Sequence, residues 1–471
     1  MTNIYKPATG ELIREVPDTP LEEIDAVMEK ARNAYKSWGA LPGSVRSDFL
    51  FKLADELDAR TEEIARLEAQ NTGKAIRETT AEASRMPRSV RYWAGWADKI
   101  YGTTVPVSPD FHVYTLREPF GVVVGIIPWN VPYIFAIRKI VPALATGNVI
   151  VLKPALETPL SALMIEEACR AVGIPDGVVQ VVTGGGELGA ALVAHPTTDL
   201  ICFTGFHETG KAIARSAADN LTPTIQELGG KSPQIVFDDA DLEEAMEAVL
   251  VGVFSGTGQM CFAGSRLLIQ DSIADRFVEE LTDRVKRLRV GDPEDPDTQI
   301  GPHVTSTQRD KTLRMIEAGK NEGATVLAQS SLPTQEELAG GFFVPPTVFG
   351  DVTPDMSIFT DEVFGPVLAV TRFSTEEEAV ELANKTEFGL AAGVWTSDSS
   401  RVHRLANEIH AGMIWLNTYR IVHDMVPAGG YGLSGYGYEA GQEALTQLTR
   451  NKSVWTALKP GLPAGYPRLT P

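Results

Sequence analysis

Apolar residues follow two patterns along this chain. The opening "IYKPATGELIREVP" reads as a hairpin turning at Thr9-Gly10. "DTPLEEIDAVMEKARNAYKSW" then starts with a cap and helix-favouring acids, and amphipathic helices follow to about Tyr101. From there short, unbroken apolar runs alternate with longer segments. "GVVVGIIPW", "VIVLKPA", "GVVQVVTG" and "DLICFTG" read as strands, with helices in "VPYIFAIRKIVPALATGN" and "PLSALMIEEACRAV". Strands without a polar face are buried on both sides, and with helices between them they indicate a parallel α/β sheet. After "PTIQELGGKSPQIVF" the alternation restarts, with "SRLLIQDSIADRFVEELTDRVKRL", "GPVLAVTRF" and "EEAVELANKTEFGLAAGVW", so a second α/β domain is expected to begin near Gly229. The tail "KPGLPAGYPRLTP" is proline-rich and expected to be a loosely packed surface arm.

At 471 residues the chain is too long for a single core, which fits two or three domains. Lys plus Arg is 42 against 62 Asp plus Glu, a formal charge of −20 with no basic stripe; such a field repels phosphate backbones and anionic membranes. Neither nucleic acid nor membrane is an expected partner. The uncharged run Gly121 to Ile137 is interrupted by Pro128, Asn130 and Pro132 and falls short of the ~20 residues of a spanning helix, so a buried strand followed by a buried helix fits it better. The start lacks the layout of a signal peptide, and three cysteines make neither a disulfide framework nor, with the histidines, a metal-ligand cluster. A cytoplasmic protein without a metal is expected.

Cys261 is the cysteine that invites a chemical reading. It lies in "SGTGQMCFAGSR", too glycine-rich for a comfortable helix, whereas Cys169 sits in an amphipathic helix and Cys202 in the apolar "LICF" strand, where both read as packing. Two glycine-flanked turns follow strands and open helices: "GGGELG", Gly184 to Gly189, and "FTGFHETGKAIA". Each is either a purely structural turn or a ring of backbone N–H groups for a pyrophosphate. Asn130 in "IIPWNVP" is either a helix cap or an amide donor to an oxyanion. Glu227 in "QELGGKSP" has small, apolar neighbours, a poor surface context and a good one for a general base.

With these residues in hand, the chain resembles the aldehyde dehydrogenase superfamily along nearly its whole length. The matching stretches are "KPATGE", "REPFGVVVGIIPWN", "PALATGNVIVLKP", "FTG" with "ETGK", "ELGGKSP", "GQMCFAGSR", "EVFGPV", "NKTEFGLAAGVW" and "GGYGLSGYG", in family order. The resemblance implies a Rossmann-like cofactor domain over 1–229, rejoined at about 428–445, a catalytic α/β domain over 230–427, and an oligomerisation arm from 109–121 and 446–471. It also implies a homodimer or homotetramer. Cys261 would be the nucleophile, Asn130 and the Cys261 N–H the oxyanion hole, and Glu227 the activator of the hydrolytic water. NAD or NADP would lie against Ile126, Ile127, Pro128, Trp129, Lys153, Gly186, Phe203, Gly205, Phe206, Leu228, Glu362 and Phe364. Relatives that pass the acyl group to coenzyme A generally lack the glutamate, so Glu227 points to hydrolysis.

Departures refine the expectation. Leu156 stands where NAD-preferring relatives often carry a glutamate, with Glu157 one place later, which leaves both coenzymes open; Phe206 replaces a small hydroxyl residue, and Ser255 stands near a common asparagine. Tyr133, Phe135, Arg138, Met260, Phe262 and His423 are expected to shape the aldehyde pocket, with a short polar or hydroxy-aldehyde as substrate and an aromatic aldehyde or semialdehyde as the alternative. Two rivals remain at this point: a cysteine hydrolase with a histidine base, and a binding protein that has kept the fold without catalysis.

Overall fold

The computed structural model describes residues 1–459; the proline-rich segment, from Pro460 onward, lies outside the described residues. Strands Thr2–Tyr5 and Leu12–Val16 pair antiparallel, and Gly10 takes φ +77° at their turn, a conformation that costs glycine little. The helix Ile24–Trp38 is preceded by a 3-10 turn, Leu21–Glu23, and no side chain caps it. The cap expected at the start of this segment is absent: Asp18 accepts from the N-terminal ammonium group at 2.6 Å and Thr19 from the Thr183 N–H at 3.2 Å. Three further helices, Gly43–Ala59, Thr61–Thr72 and Ile76–Ala94, complete the helical stretch.

The apolar run at Gly121 forms strand Val122–Ile126 and helix Pro132–Ala145, with proline in the first turn, where its missing N–H is not needed. No described helix is long and apolar enough to cross a membrane. The strand belongs to a six-stranded sheet whose spatial order is Gly435–Tyr436, Thr224–Glu227, Leu200–Thr204, Val122–Ile126, Val149–Lys153, Val179–Val181. All neighbours are parallel except Gly435–Tyr436, which returns late in the chain to pair antiparallel with Thr224–Glu227. The chain builds from Val122–Ile126 outward to one side and then jumps to Leu200–Thr204 on the other. That reversal opens a crevice at the strands' C-terminal ends, where open α/β sheets bind ligands.

A second sheet has seven strands, in the order Thr325–Gln329, Thr347–Gly350, Val367–Phe373, Arg266–Gln270, Pro233–Val236, Ala391–Trp395, Met413–Leu416. Its faces are apolar on both sides: Ile235 and Leu268 enter one core cluster, while Val236, Leu267 and Ile269 enter another, as the strand period of two requires. Residues 228–232 carry the chain from one sheet to the other. A third sheet pairs Phe111–Pro119 with Thr449–Ala457 antiparallel, with Thr104–Val105 on its far side. Thr449–Ala457 is an edge strand, and Phe111, Leu116 and Trp455 on this sheet are exposed.

Candidate active site

The crevice of the six-stranded sheet is lined by Pro128 and Trp129 after one central strand and by Thr204, Gly205 and Phe206 after its neighbour. Leu228, Gly229, Phe135, Gln308, Lys311, Glu362 and Phe364 complete a cavity of about 370 Å³, with Asn130 and Cys261 at its inner end. Gly205 and Phe206 lead into the helix His207–Asp219, whose N-terminus therefore lies at the cavity's edge. Lys311 lies 5.7 Å from the Phe206 ring centre, and its ammonium donates to the Glu362 carbonyl at 3.2 Å. Trp129 and Phe364 meet edge to face, with ring centres 5.3 Å apart. Flat apolar walls, a helix N-terminus and an ammonium group suit a dinucleotide, whose rings need the first and whose diphosphate needs the other two.

The cysteine loop leaves helix Leu242–Phe254 through three consecutive left-handed residues: Gly256 at φ +61°, Thr257 at +59° and Gly258 at +68°. Such a run is open to glycine and strained elsewhere; Thr257 is held by its hydroxyl, which donates to the Gly301 carbonyl at 3.1 Å. At Gly258 a Cβ would stand 2.2 Å from the Gly365 carbonyl, so glycine there is also what lets the cysteine loop touch the loop bearing Phe364. Gly230 has the same office from below, since a Cβ would lie 2.5 Å from the Cys261 carbonyl. Phe364 is itself left-handed, at φ +58°, a strain of about 1–3 kcal/mol that the packed surroundings sustain.

Cys261 is shared. On its other side lies a cavity of about 260 Å³, walled by Asn130, Val131, Ile134, Phe135 and Arg138, by Met260 and Phe262, and by Glu78, Glu82, Arg85 and Arg420. Of the three cysteines, Cys169 and Cys202 are buried and Cys261 alone is partly exposed. Burial pushes all three thiols up to about 12, so it is access that distinguishes Cys261. Asn130 walls both cavities and caps no helix: its Nδ2 donates to the Gln259 carbonyl at 2.8 Å, which fixes the amide against the cysteine loop and leaves its second N–H free to serve a substrate oxygen.

Glu227 ends the strand Thr224–Glu227, is 8% exposed, and has an Oε1 without a hydrogen-bond partner. Beside it, Lys139 and Glu439 form a buried ion pair, and the Thr204 hydroxyl donates to Glu439 Oε1 at 3.2 Å. Burial first and the Glu439 charge second push the Glu227 carboxyl well above its usual range, while the neighbouring Lys139 and Arg138 charges keep Glu439 ionised against its own burial. Two carboxyls side by side are thus driven apart in acidity, an arrangement suited to general-base work. Glu362 donates nothing; its Oε1 accepts the Gly230 N–H at 3.0 Å, and burial pushes its carboxyl up to about 7.

Of the residues expected at the coenzyme, Pro128, Trp129, Gly205, Phe206, Leu228, Glu362 and Phe364 line the larger cavity. Ile126, Ile127, Lys153, Gly186 and Phe203 do not. Ile126 and Lys153 gather at the flank, where a Cβ on Gly189 would meet Lys153 Cδ at 3.3 Å and Ile126 Cδ1 at 3.8 Å. Gly186 is the exposed first residue of the helix Gly186–Ala194 on that flank, Ile127 is buried, and the Phe203 ring packs under Gly205. In the smaller cavity, Phe135, Arg138, Met260 and Phe262 are walls, but Tyr133 and His423 are not. The lining residues Val131, Ile134, Phe135 and Arg138 are spaced i, i+3, i+4, i+7, one helical face; Tyr133 points off that face and is 1% exposed. His423 is exposed, while Arg420 and Val422 of the same loop face inward. Sequence reasoning missed Arg85, Arg420, Glu78, Lys311, Lys139 and Glu439. Lys139 carried a signal: beside Arg138 it is one of two charges in a helix of apolar residues, and a buried charge is rarely left unpaired.

A model of the aldehyde dehydrogenase family matches residues 1–454. The chain is 43% identical over 455 residues, 95% of its length and 92% of the relative's, to an Acinetobacter baylyi protein named (Z)-2-((N-methylformamido)methylene)-5-hydroxybutyrolactone dehydrogenase. It is also 43% identical over 456 residues, 97% of its length and 93% of the relative's, to a betaine aldehyde dehydrogenase of Brucella anthropi. Among solved structures, PnpE in complex with nicotinamide adenine dinucleotide superposes with a TM-score of 0.96 at 42% identity, covering 98% of this chain and 95% of that one. A Staphylococcus aureus betaine aldehyde dehydrogenase with NAD+ gives 0.96 at 38%, covering 98% and 93%. With the paired cavities and the cysteine between them, these likenesses identify the chain as a member of the aldehyde dehydrogenase family.

Proposed function

We propose that this chain oxidises an aldehyde to its carboxylic acid through a thioester on Cys261 that water releases. The observation that carries this reading is the single partly exposed thiol forming the common wall of two cavities. Family membership makes the chain an NAD(P)-dependent aldehyde dehydrogenase. The aldehyde enters the smaller cavity and the coenzyme the larger.

A thiol held at about 12 is protonated at neutral pH, so Cys261 needs a base as it attacks the carbonyl carbon, and the Glu227 carboxylate takes its proton. The carbonyl oxygen becomes an alkoxide against the free N–H of Asn130 and the Cys261 backbone N–H. A nicotinamide coenzyme held in the larger cavity would supply the hydride acceptor that lets this alkoxide collapse to the thioester. Glu227 releases that first proton to solvent and then draws one from water, whose oxygen attacks the thioester carbon; the C–S bond breaks, the proton held by Glu227 passes to the departing sulfur, and the acid leaves with the Cys261 thiol restored. Trp129 and Phe364 would supply apolar aromatic walls for the coenzyme's rings beside the sulfur.

NAD is the favoured coenzyme, supported by the NAD-bound relatives, while Leu156 opposes no charge to the 2′-phosphate of NADP. The substrate is a short polar aldehyde. Residues 1–229 with 428–445 hold the coenzyme, and 230–427 carry the cysteine. The open edge of Thr449–Ala457 and the exposed Phe111, Leu116 and Trp455 support self-association into a dimer or tetramer through this arm.

The test is the Glu227→Gln variant with aldehyde and NAD+ but no coenzyme A. The wild type should turn over steadily, with kcat rising as pH climbs through the raised pKa of Glu227, because only the unprotonated carboxylate accepts a proton. The variant should give at most one reduced coenzyme per subunit and then run about 10²-fold or more slower, without that pH limb. Steady turnover by the variant, or a requirement for coenzyme A in the wild type, would overturn hydrolysis by Glu227.

A further inference from the structure

We propose that the cavity beyond Cys261 selects a short aldehyde whose far end carries a carboxylate, bound by Arg85, Arg138 and Arg420. The inference rests on the aldehyde-oxidising reading above and narrows it to a substrate class.

Two helices build the cavity by the same device. Helix Ile76–Ala94 presents Glu78, Ala81, Glu82 and Arg85, and helix Pro132–Ala145 with its N-terminal neighbour presents Val131, Ile134, Phe135 and Arg138, each set at i, i+3, i+4 and i+7. Arg420 enters from the loop after strand Met413–Leu416. A chain of net charge −20 thus gathers three guanidinium groups around one small cavity.

Carboxylates lie near these arginines without pairing with them: Glu439 feels the charge of Arg138, Glu78 that of Arg420, and Arg85 those of Glu82 and Asp424. Among the described residues none of the three arginines is in an ion pair. Glu82 is engaged by Lys74, and Glu439 by Lys139. Asp424 accepts the Ser89 hydroxyl at 2.8 Å, and Glu78 accepts the Gly256 N–H at 2.8 Å. Burial raises the carboxyl of Glu78 above its usual range. The Arg138 Nε is buried without a partner. Arg85 lies at the exposed rim, yet the protein around its guanidinium, and then the charge of Arg138, hold it below its usual range. Arg420 sits at φ +63°, a strained backbone for an arginine, with Nη1 donating to the Val251 carbonyl at 2.8 Å. Repulsion between neighbouring guanidinium groups is relieved when an anion bridges them.

Shape agrees with charge. The walls nearer the sulfur are apolar: Val131, Ile134, Phe135, Met260 and Phe262. At about 260 Å³ the cavity is below the roughly 300–1,000 Å³ of drug-sized ligand sites, which suits a short chain. Three arginines face two glutamates, Glu78 and Glu82, the second already paired with Lys74, so the balance of charge is positive and disfavours a cation such as betaine aldehyde, the compound for which the Brucella anthropi relative is named.

Initial rates with succinic semialdehyde, butanal and betaine aldehyde at saturating NAD+ test the proposal. We expect kcat/KM for succinic semialdehyde to exceed that for butanal at least about 10-fold, with betaine aldehyde the poorest; Arg138→Gln should reduce the acid-over-neutral preference about 10–100-fold, and Arg138→Lys should restore part of it. Equal or better use of butanal or betaine aldehyde, or an undiminished preference in Arg138→Gln, would overturn it. If no aldehyde is oxidised, the aldehyde-oxidising reading has failed instead, and the cavity is judged by binding alone. Succinate should then raise the melting temperature of the wild type and not of Arg138→Gln, and no shift in the wild type would overturn the carboxylate site.

Discussion

The two cavities that meet at Cys261 are made of different materials. The larger is assembled at strand ends and turns, where Gly205, Gly229 and the start of helix His207–Asp219 expose backbone. The smaller is assembled mainly from side chains, on faces of helices Ile76–Ala94 and Pro132–Ala145, on the cysteine loop and on the loop of Arg420 and Val422. Backbone offers every chain the same N–H groups, so a backbone-lined site suits a partner common to many relatives. Side chains vary without disturbing the helix beneath them, so a side-chain-lined site is where one family member parts from another.

Substitutions can break or sharpen that contrast. The largest effect is expected at the shared wall: Cys261→Ala should lower kcat by about 10⁴-fold or more, as loss of a nucleophile does. Its coenzyme affinity, read by fluorescence titration, should change far less; a comparable loss of binding would mean that the cysteine loop shapes the larger cavity rather than serving chemistry. Next comes Asn130→Ala. It removes the oxyanion donor and should cost about 10²–10³ in kcat with KM little altered, measured by steady-state kinetics. A loss confined to KM would make Asn130 a strut for Gln259 instead. The smallest effect belongs to the coenzyme's outer end: Leu156→Glu should lower the NADP-to-NAD ratio of kcat/KM about 10-fold, since a like charge at an exposed site costs on the order of 1 kcal/mol or somewhat more. An unchanged ratio would show that the 2′ end of the ribose does not reach residue 156.

Legibility in the sequence follows the same division. The strands and helices around Val122–Ile126 and Pro132–Ala145 were readable because an apolar run and a helical period are local properties. Cys261 stood out because three left-handed residues before it demand glycine or strain, and glycine is visible as a letter. The helix cap expected in the segment opening "DTP" failed for a tertiary reason, since Asp18 and Thr19 serve the Met1 amino group and the Thr183 N–H instead. Tyr133 and His423 were expected in the aldehyde pocket, but a helix phase and a loop conformation turn them away from it, and neither phase nor loop path is set by residue type alone.

What the chain determined by itself was where backbone must bend, where it must be bare, and which segments must be buried, because these depend on neighbours a few positions away. Tertiary structure alone decided the electrostatics. Lys139 meets Glu439 across 300 positions, Glu78 meets Gly256 across 178, and Arg420 joins Arg85 and Arg138 only because separate elements converge on one cavity. A charge acquires its acidity and its partner from the groups packed around it and from the water they exclude, and that environment exists only once the chain has folded.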